Sequence, residues 1–254
     1  DRIQTLSPDG SRVTNENCHS EAIESSAVIL EGAQLPIESK AFLKSKARKQ
    51  KAGISSRQPA VRQRIFREGS TWYEETVDPK GLSTDRHDIT EEIPFDIPEN
   101  WAWCRLKNVI SLLSGRDLEP SQYNSNQKGI PYMTGASNFS INGLIENRWT
   151  ETPVTISHLG DLLITCKGTI GTMSFNNVGD IHIARQIMAI NSDFMNLEYI
   201  RFFLISYVNE LQKAARSMIP GISRDDLLNS LISVPPLAEQ KRIVAKLEQL
   251  FKAL

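Results

Sequence analysis

Cysteine is scarce in this chain of 254 residues, with only 3, at Cys18, Cys104 and Cys166. Their odd number and wide spacing, without a CxxC pair or a Cys/His ligand spacing, argue against a disulfide framework and against a zinc site. A reducing cytoplasm is the expected compartment. Long apolar runs are also missing. No uninterrupted stretch approaches the roughly 18 residues of a membrane span, and the N-terminus lacks the charged-then-apolar pattern of a secretory signal. The protein is therefore expected to be neither secreted nor membrane-embedded. The chain opens on Asp1 and not on methionine, so it is expected to begin inside a longer product. An excess of one charge is absent too: 29 Lys and Arg stand against 30 Asp and Glu, a net charge of −1. Bulk attraction to phosphate is not available to such a chain, and any nucleic-acid ligand would have to be held by local patches or by partner subunits.

Catalytic constellations are equally sparse. His19, His87, His158 and His182 are isolated, and there is no HExxH, no GxSxG and no metal-ligand pair. Segments like the NPPY and FxGxG of an adenine methyltransferase are absent. Lys167 sits in a glycine-rich turn, Cys166-Lys-Gly-Thr-Ile-Gly171, which lacks the GKS or GKT ending of a nucleotide-binding loop. A nuclease template of the PD…(D/E)xK kind is met formally by Pro8-Asp9 with Glu38-Ser39-Lys40, and in its second half by Asp78-Pro79-Lys80. The first set lies in unpatterned sequence and the second places a proline in a turn, so chance explains both better than chemistry does.

What the chain does have is a 40% hydrophobic content, enough for a real core. Residues 1–57 are unassigned, polar at first and then basic. From Lys40 to Arg67 the basic residues Lys40, Lys44, Lys46, Arg48, Lys49, Lys51, Arg57, Arg62, Arg64 and Arg67 follow one another with no acidic residue between. Such a run either tracks a phosphate backbone or is simply solvated. Arg62–Phe66 and Thr71–Val77 flank Glu68-Gly69-Ser70 and predict a hairpin, and Pro79 to Asp88 reads as turn. Trp101 and Trp103, two apart in an extended segment, share a face and are expected to anchor a core. Leu106, Val109, Ile110 and Leu113 recur at helical spacing, with Ser114-Gly115 as a stop.

Gly129–Gly135 reads as a strand entering a turn and Ala136–Gly143 as a loop. Leu162–Thr165 and Thr172–Phe175 predict a strand pair around the glycine-rich turn, and Ile181–Ile190 a single strand-like run carrying Arg185 and Gln186. Leu197–Ala215 has helical periodicity, with Tyr199, Phe202, Phe203, Tyr207 and Leu211 on the core side. Ser223 predicts the N-cap of a short helix at Arg224–Leu228.

The last stretch, Pro235 to Leu254, cannot satisfy its own pattern. Pro235-Pro236 favours a helix start, and Glu239 and Lys252 suit the two ends of the helix dipole. Ile243, Leu247, Leu250 and Leu254 form one apolar stripe, and Leu237, Val244 and Phe251 a second at seven-residue spacing. A face this broad suits either docking on the chain's own domain or meeting another chain.

Three ordered stretches carry a resemblance. They are Ile93-Pro-Phe-Asp-Ile-Pro-Glu-Asn-Trp-Ala-Trp-Cys-Arg-Leu106; Gly160-Asp-Leu-Leu-Ile-Thr-Cys-Lys-Gly-Thr-Ile-Gly171, followed by Ile183-Ala-Arg-Gln-Ile187 and Ser217-Met-Ile-Pro-Gly-Ile-Ser223; and Ser233-Val-Pro-Pro-Leu-Ala-Glu-Gln-Lys-Arg-Ile-Val244. Over roughly Ala60 to Leu254 the chain resembles specificity subunits of type I restriction-modification systems. The resemblance implies a mixed α/β (α+β) target recognition domain over 58–234 and a long C-terminal helix of coiled-coil type, the dimerisation or spacer helix, over 235–254. It implies that the chain reads one half of a bipartite target in double-stranded DNA and is not itself an enzyme.

Family members commonly carry two recognition domains and two such helices, whereas one of each is seen here. The chain is then either a fragment or a half-subunit that pairs as a homodimer through its helix. The partners implied are methyltransferase (modification) subunits, which hold the S-adenosylmethionine, and through the complex a restriction subunit; no cofactor is expected in this chain. DNA contacts are expected from Arg116, Lys128, Tyr132, Thr134, Asn138, Arg148, Lys167, Arg185 and Arg216, because arginine suits guanine, asparagine suits adenine and lysine suits phosphate. Partner contacts are expected from Leu237, Ile243, Val244, Leu247, Leu250, Phe251 and Leu254. The rival classes are a coiled-coil adaptor that binds only protein, favoured by the near-neutral charge, and a stand-alone nuclease, favoured only by the formal matches above.

Overall fold

The structure is a computed structural model that describes residues 62–78, 80–214 and 221–253. The basic tract before Arg62 and the Arg216 and Leu254 assignments lie outside these residues. The chain divides into two compact units, Asp1–Asp96 and Ile97–Leu254.

In the first unit, β1 (Arg62–Glu68), β2 (Thr71–Val77) and β3 (Ser83–Asp88) form an antiparallel meander. Gly69 takes φ +61° in the two-residue turn between β1 and β2, a conformation glycine adopts without strain. The hairpin read from the sequence is thus present. Pro79–Asp88, read as turn, holds a strand instead. Its polar Ser83–Asp88 segment has no apolar alternation to betray it, and it is held by the ladder to β2 and by Arg86–Glu68 at 2.6 Å. Asp78 closes the turn before it, its Oδ1 accepting from the amides of Lys80 and Leu82.

The second unit begins with β4 (Ala102–Arg105), then β5 (Ser111–Ser114), β6 (Ile130–Met133), the small hairpin β7 (Phe139–Ser140) and β8 (Gly143–Leu144), β9 (Trp149–Thr150) and β10 (Ile156–Ser157). There follow β11 (Leu162–Thr165), β12 (Met173–Phe175), β13 (Ile181–Ile183), β14 (Ile187–Asn191), α1 (Leu197–Ala214), α2 (Arg224–Asn229), β15 (Leu231–Val234) and α3 (Leu237–Lys252). An antiparallel sheet of order β12-β11-β14-β5 stands at the centre. A mixed sheet of order β10-β13-β6-β9, parallel only between β13 and β6, covers one of its faces. Helices and the β15-β4 pair cover the other.

The pleat explains the layering. Leu162, Ile164, Met188 and Ile190 point to the helical side, where Ile200, Leu204, Val208, Leu227, Ile232 and Val244 bury with them. Leu163, Ile187 and Ala189 point the other way, onto Met133, Ile181 and Ile183. Leu162–Thr165 is therefore apolar at successive positions because both its faces are covered. Each fully buried Leu or Ile stabilises the fold by about 1.5–3 kcal/mol relative to exposure.

Two expectations are corrected here. Arg105–Leu113, read as a helix, is a single 3₁₀ turn at Leu106–Asn108 followed by β5. Helical spacing of four apolar residues is also met by a turn and a strand, and the pairing of Leu112 with Ile190 completes the central sheet. Ile181–Ile190 is not one strand but two, in different sheets, broken at Ala184–Gln186. The capping box of α2 is as read: Ser223 Oγ accepts from the Asp226 amide at 3.1 Å, and the Asp226 carboxylate accepts from the Ser223 amide at 2.7 Å.

The terminal helix α3 spans 16 residues of the stretch read as helix. It packs on α1 through Val244, with Ile243 and Leu247 half-buried. Its first turn is clamped to the domain. Trp101 Nε1 donates to Glu239 Oε2 at 3.1 Å, while Gln240, 1% exposed, accepts from the Asn196 amide and donates to Pro235 O, each at 2.9 Å. Leu250 and Phe251 stay exposed at the far end, although the Phe251 ring stacks on Phe202. Trp103, as read, is a core anchor at 2% exposure.

Candidate nucleic-acid interface

The break at Ala184–Gln186 is the hub of one end of this unit. The Ile187 amide donates back to Ala184 O at 2.9 Å, closing the turn. Loops that follow other strands then bond to it through main-chain atoms. After β5, Gly115 N donates to Ile187 O and Arg116 N to Ile183 O, both at 3.0 Å. At the end of β6, Met133 O accepts from Ala184 N, and after β11, Cys166 N donates to Gln186 O at 2.8 Å. Ile222 N, ahead of α2, in turn donates to Cys166 O at 2.9 Å.

This convergence collects Arg116, Thr134, Lys167 and Arg185 from four distant parts of the sequence. Arg116, Lys167 and Arg185 are exposed and Thr134 is half-buried. Asp117 holds Arg185 twice, accepting from its amide at 3.1 Å and from its Nε at 2.8 Å. The outer edge of that guanidinium makes no further hydrogen bond among the described residues, which is the edge that grips guanine. Lys167 rides on a stiff turn. Thr165 Oγ1 donates to Thr169 O and accepts from the Thr172 amide, and Gly171, at φ +81°, lies so close to Val208 that a β-carbon would come within 2.6 Å of its Cγ1. The neighbouring Cys166 thiol is buried, and burial pushes its pKa up, away from reactivity.

Other expected contacts are placed elsewhere. Tyr132 and Asn138 are 4% and 0% exposed, so their role as direct contacts is corrected to support. The Tyr132 hydroxyl accepts from the Leu118 amide, and its ring lies between those of Tyr123 and His182, 5.5 and 5.0 Å away. Asn138 Oδ1 accepts from Thr134 and Gly135, and its Nδ2 donates to Ile145 O and Asn147, which fixes the loop after β6. The type of residue was legible, but not which way it faces. Arg148 is exposed, over the Tyr123 ring at 5.3 Å, just ahead of β9, where its carbonyl accepts from the Tyr132 amide at 2.8 Å. Lys128 stands at the opposite end of β6 from Thr134, beyond the hub. Gln186, next to Arg185 in the same turn and within the Ile183–Ile187 stretch, is exposed and was not among the expected contacts.

His182 supports the hub from below. It is fully buried, with Nδ1 accepting from the amides of Val154 and Thr155 and Nε2 donating to Arg116 O at 2.9 Å. The ring is thereby held neutral in one tautomer. Burial pushes its pKa below the ordinary value, against the opposing pull of the Arg116 carbonyl and Asp117. The unfolded chain then binds this proton more readily than the folded one. Stability from His182 is complete above about pH 6.5, the ordinary value for an unfolded histidine, and is lost as pH falls below it. The urea midpoint of the chain is expected to drop between pH 7.5 and 5, and His182→Gln, which keeps a donor without a titrating ring, is expected to flatten that slope. Equal slopes for both proteins would remove His182 from the account.

Exposed Arg116, Lys167 and Arg185 are thus carried on loops that a layered α/β/β scaffold pins through its backbone. The family described as Type I restriction modification DNA specificity domain matches residues 98–254, and the chain belongs to it. Among relatives, the type I restriction enzyme MjaX specificity subunit of Methanocaldococcus jannaschii is 25% identical over 60% of this chain and 37% of its own length. The EcoEI specificity subunit of Escherichia coli is 24% identical over 64% of this chain and 31% of its own. Among solved structures, the HsdS subunit from Thermoanaerobacter tengcongensis is 30% identical with a TM-score of 0.57, over 63% of this chain and 39% of that one. A chain from a structure of type I R-M complex assembly is 28% identical with a TM-score of 0.58, over 63% of this chain and 40% of that one. The chain thus spans under half the length of these relatives. No helix among the described residues is long and apolar enough to cross a membrane.

Proposed function

We propose that this chain supplies the address in a type I restriction-modification complex. It reads one half of a bipartite duplex target with the unit from Ile97 to Val234, while α3 docks modification subunits or a second copy. Methyl transfer with S-adenosylmethionine and cleavage belong to partner subunits, in the cytoplasm. The observation that carries this reading is the gathering of Arg116, Thr134, Lys167 and Arg185 around the Ala184–Gln186 hub. It gives a near-neutral chain the local patch of donors that DNA contact requires. The exposed Leu250 and Phe251 at the end of α3 favour partner docking there.

Selection from a randomised duplex library, with and without a modification subunit and at two salt concentrations, tests the proposal. A short half-site is expected, alone or as two copies at fixed separation. Lys167→Ala is expected to weaken all sequences alike and to lower the salt slope by about 1, with the motif unchanged. No enrichment under any condition would favour the protein-only adaptor.

A further inference from the structure

Gln186 is the residue at the centre of the hub that no expectation used. Its main chain is fixed from both sides, since Gln186 O accepts from Cys166 N and the next residue, Ile187, is fully buried at the start of β14. Its side chain is exposed, and its end lies against Gly135. A β-carbon on Gly135 would stand 2.5 Å from Gln186 Oε1, and one on Gly168 would stand 3.8 Å from it. The end of the carboxamide therefore occupies the space that a side chain at position 135 would take, whereas a β-carbon on Gly168 would only touch it. Among the described residues the carboxamide has no hydrogen-bond partner.

A carboxamide presents one donor and one acceptor side by side, the pattern that matches N7 and the N6 amino group of adenine in the major groove. Most glutamines lose rotamer freedom when they bind. Here the close approach of Gly135 fixes where the end of the side chain lies. Lys167 lies beside Gly168 and Arg185 precedes Gln186, so a phosphate contact and a second base contact flank the same point. We propose that Gln186 is a specificity-determining residue that reads an adenine, its carboxamide seated against Gly135. This rests on the reading of the chain as a DNA-specificity subunit.

The test compares motifs selected from a randomised duplex library by the wild-type chain, Gln186→Ala and Gly135→Ala, each with its modification subunit. The Gly135 backbone, at φ 168°, is extended and accepts alanine, so the only atoms displaced are the end of the Gln186 side chain. Both variants are expected to lose preference at one and the same A·T position, by roughly 5- to 150-fold, with the rest of the motif and the salt slope unchanged. Urea midpoints equal to wild type show that the fold is intact. A Gln186→Ala motif identical to wild type, or a loss spread evenly over all positions, would overturn the assignment while leaving the DNA reading in place. A wild-type chain that selects no motif would overturn both.

Discussion

Gly115→Ala is expected to destabilise the second unit by about 3 kcal/mol, at the upper end of what overpacking costs. The added methyl would overlap the Ala184 carbonyl oxygen and lie 2.6 Å from Ile183 O, and both neighbours are backbone. Neither can swing away as a side chain would. Nor can the loop after β5 retreat, because the Gly115 amide is spent on Ile187 O. Relief requires prising that loop off the hub, which moves Arg116 and removes the carbonyl that His182 holds. Urea denaturation should show a lower midpoint with an unchanged slope against denaturant, as expected when stability falls and the unfolded state does not change. DNA binding should be lost in the same variant. A midpoint equal to wild type would mean that the approach of these loops is looser than described.

Gln240→Leu is expected to cost on the order of 3 kcal/mol, although it conserves volume and adds apolar character to a buried site. The leucine would leave two main-chain groups, Asn196 N–H and Pro235 C=O, without the partners they have now, and each orphaned buried group costs about 1–3 kcal/mol. Asn196 also begins α1, with its Oδ1 accepting from the Tyr199 amide. One carboxamide therefore ties the start of α1 to the start of α3. Thermal unfolding should shift down, and limited proteolysis should cut α3 earlier than in wild type. If both are unchanged, Trp101–Glu239 and Val244 suffice to seat the helix.

The parts of the fold written in local signals were legible before the structure. The strand pair around Gly168, the helix from Leu197, the Ser223 capping box and the helix after Pro236 each depend on residues within a few positions of one another. What was not legible depends on partners far along the chain. The helical spacing at Leu106–Leu113 yields to a strand because β14, some distance downstream, offers a ladder. The parallel pairing of His182 with Tyr132 turns a tyrosine that reads like a base contact into a buried support. The same long-range order explains the site. Arg116, Thr134, Lys167 and Arg185 could be nominated by type, but their meeting point exists only once two sheets have stacked. The type alone would never separate them from Lys128, which the same strand carries to the opposite end.

The bonds that fasten the loops to the Ala184–Gln186 turn run almost entirely between backbone atoms. Such bonds place no demand on side-chain identity beyond glycine where the approach is close, as at Gly115. The outward-facing positions on these loops are thereby released from the task of folding the unit. A lineage, or an engineer, is free to rewrite the recognised sequence by exchanging those residues while the frame beneath stays as it is.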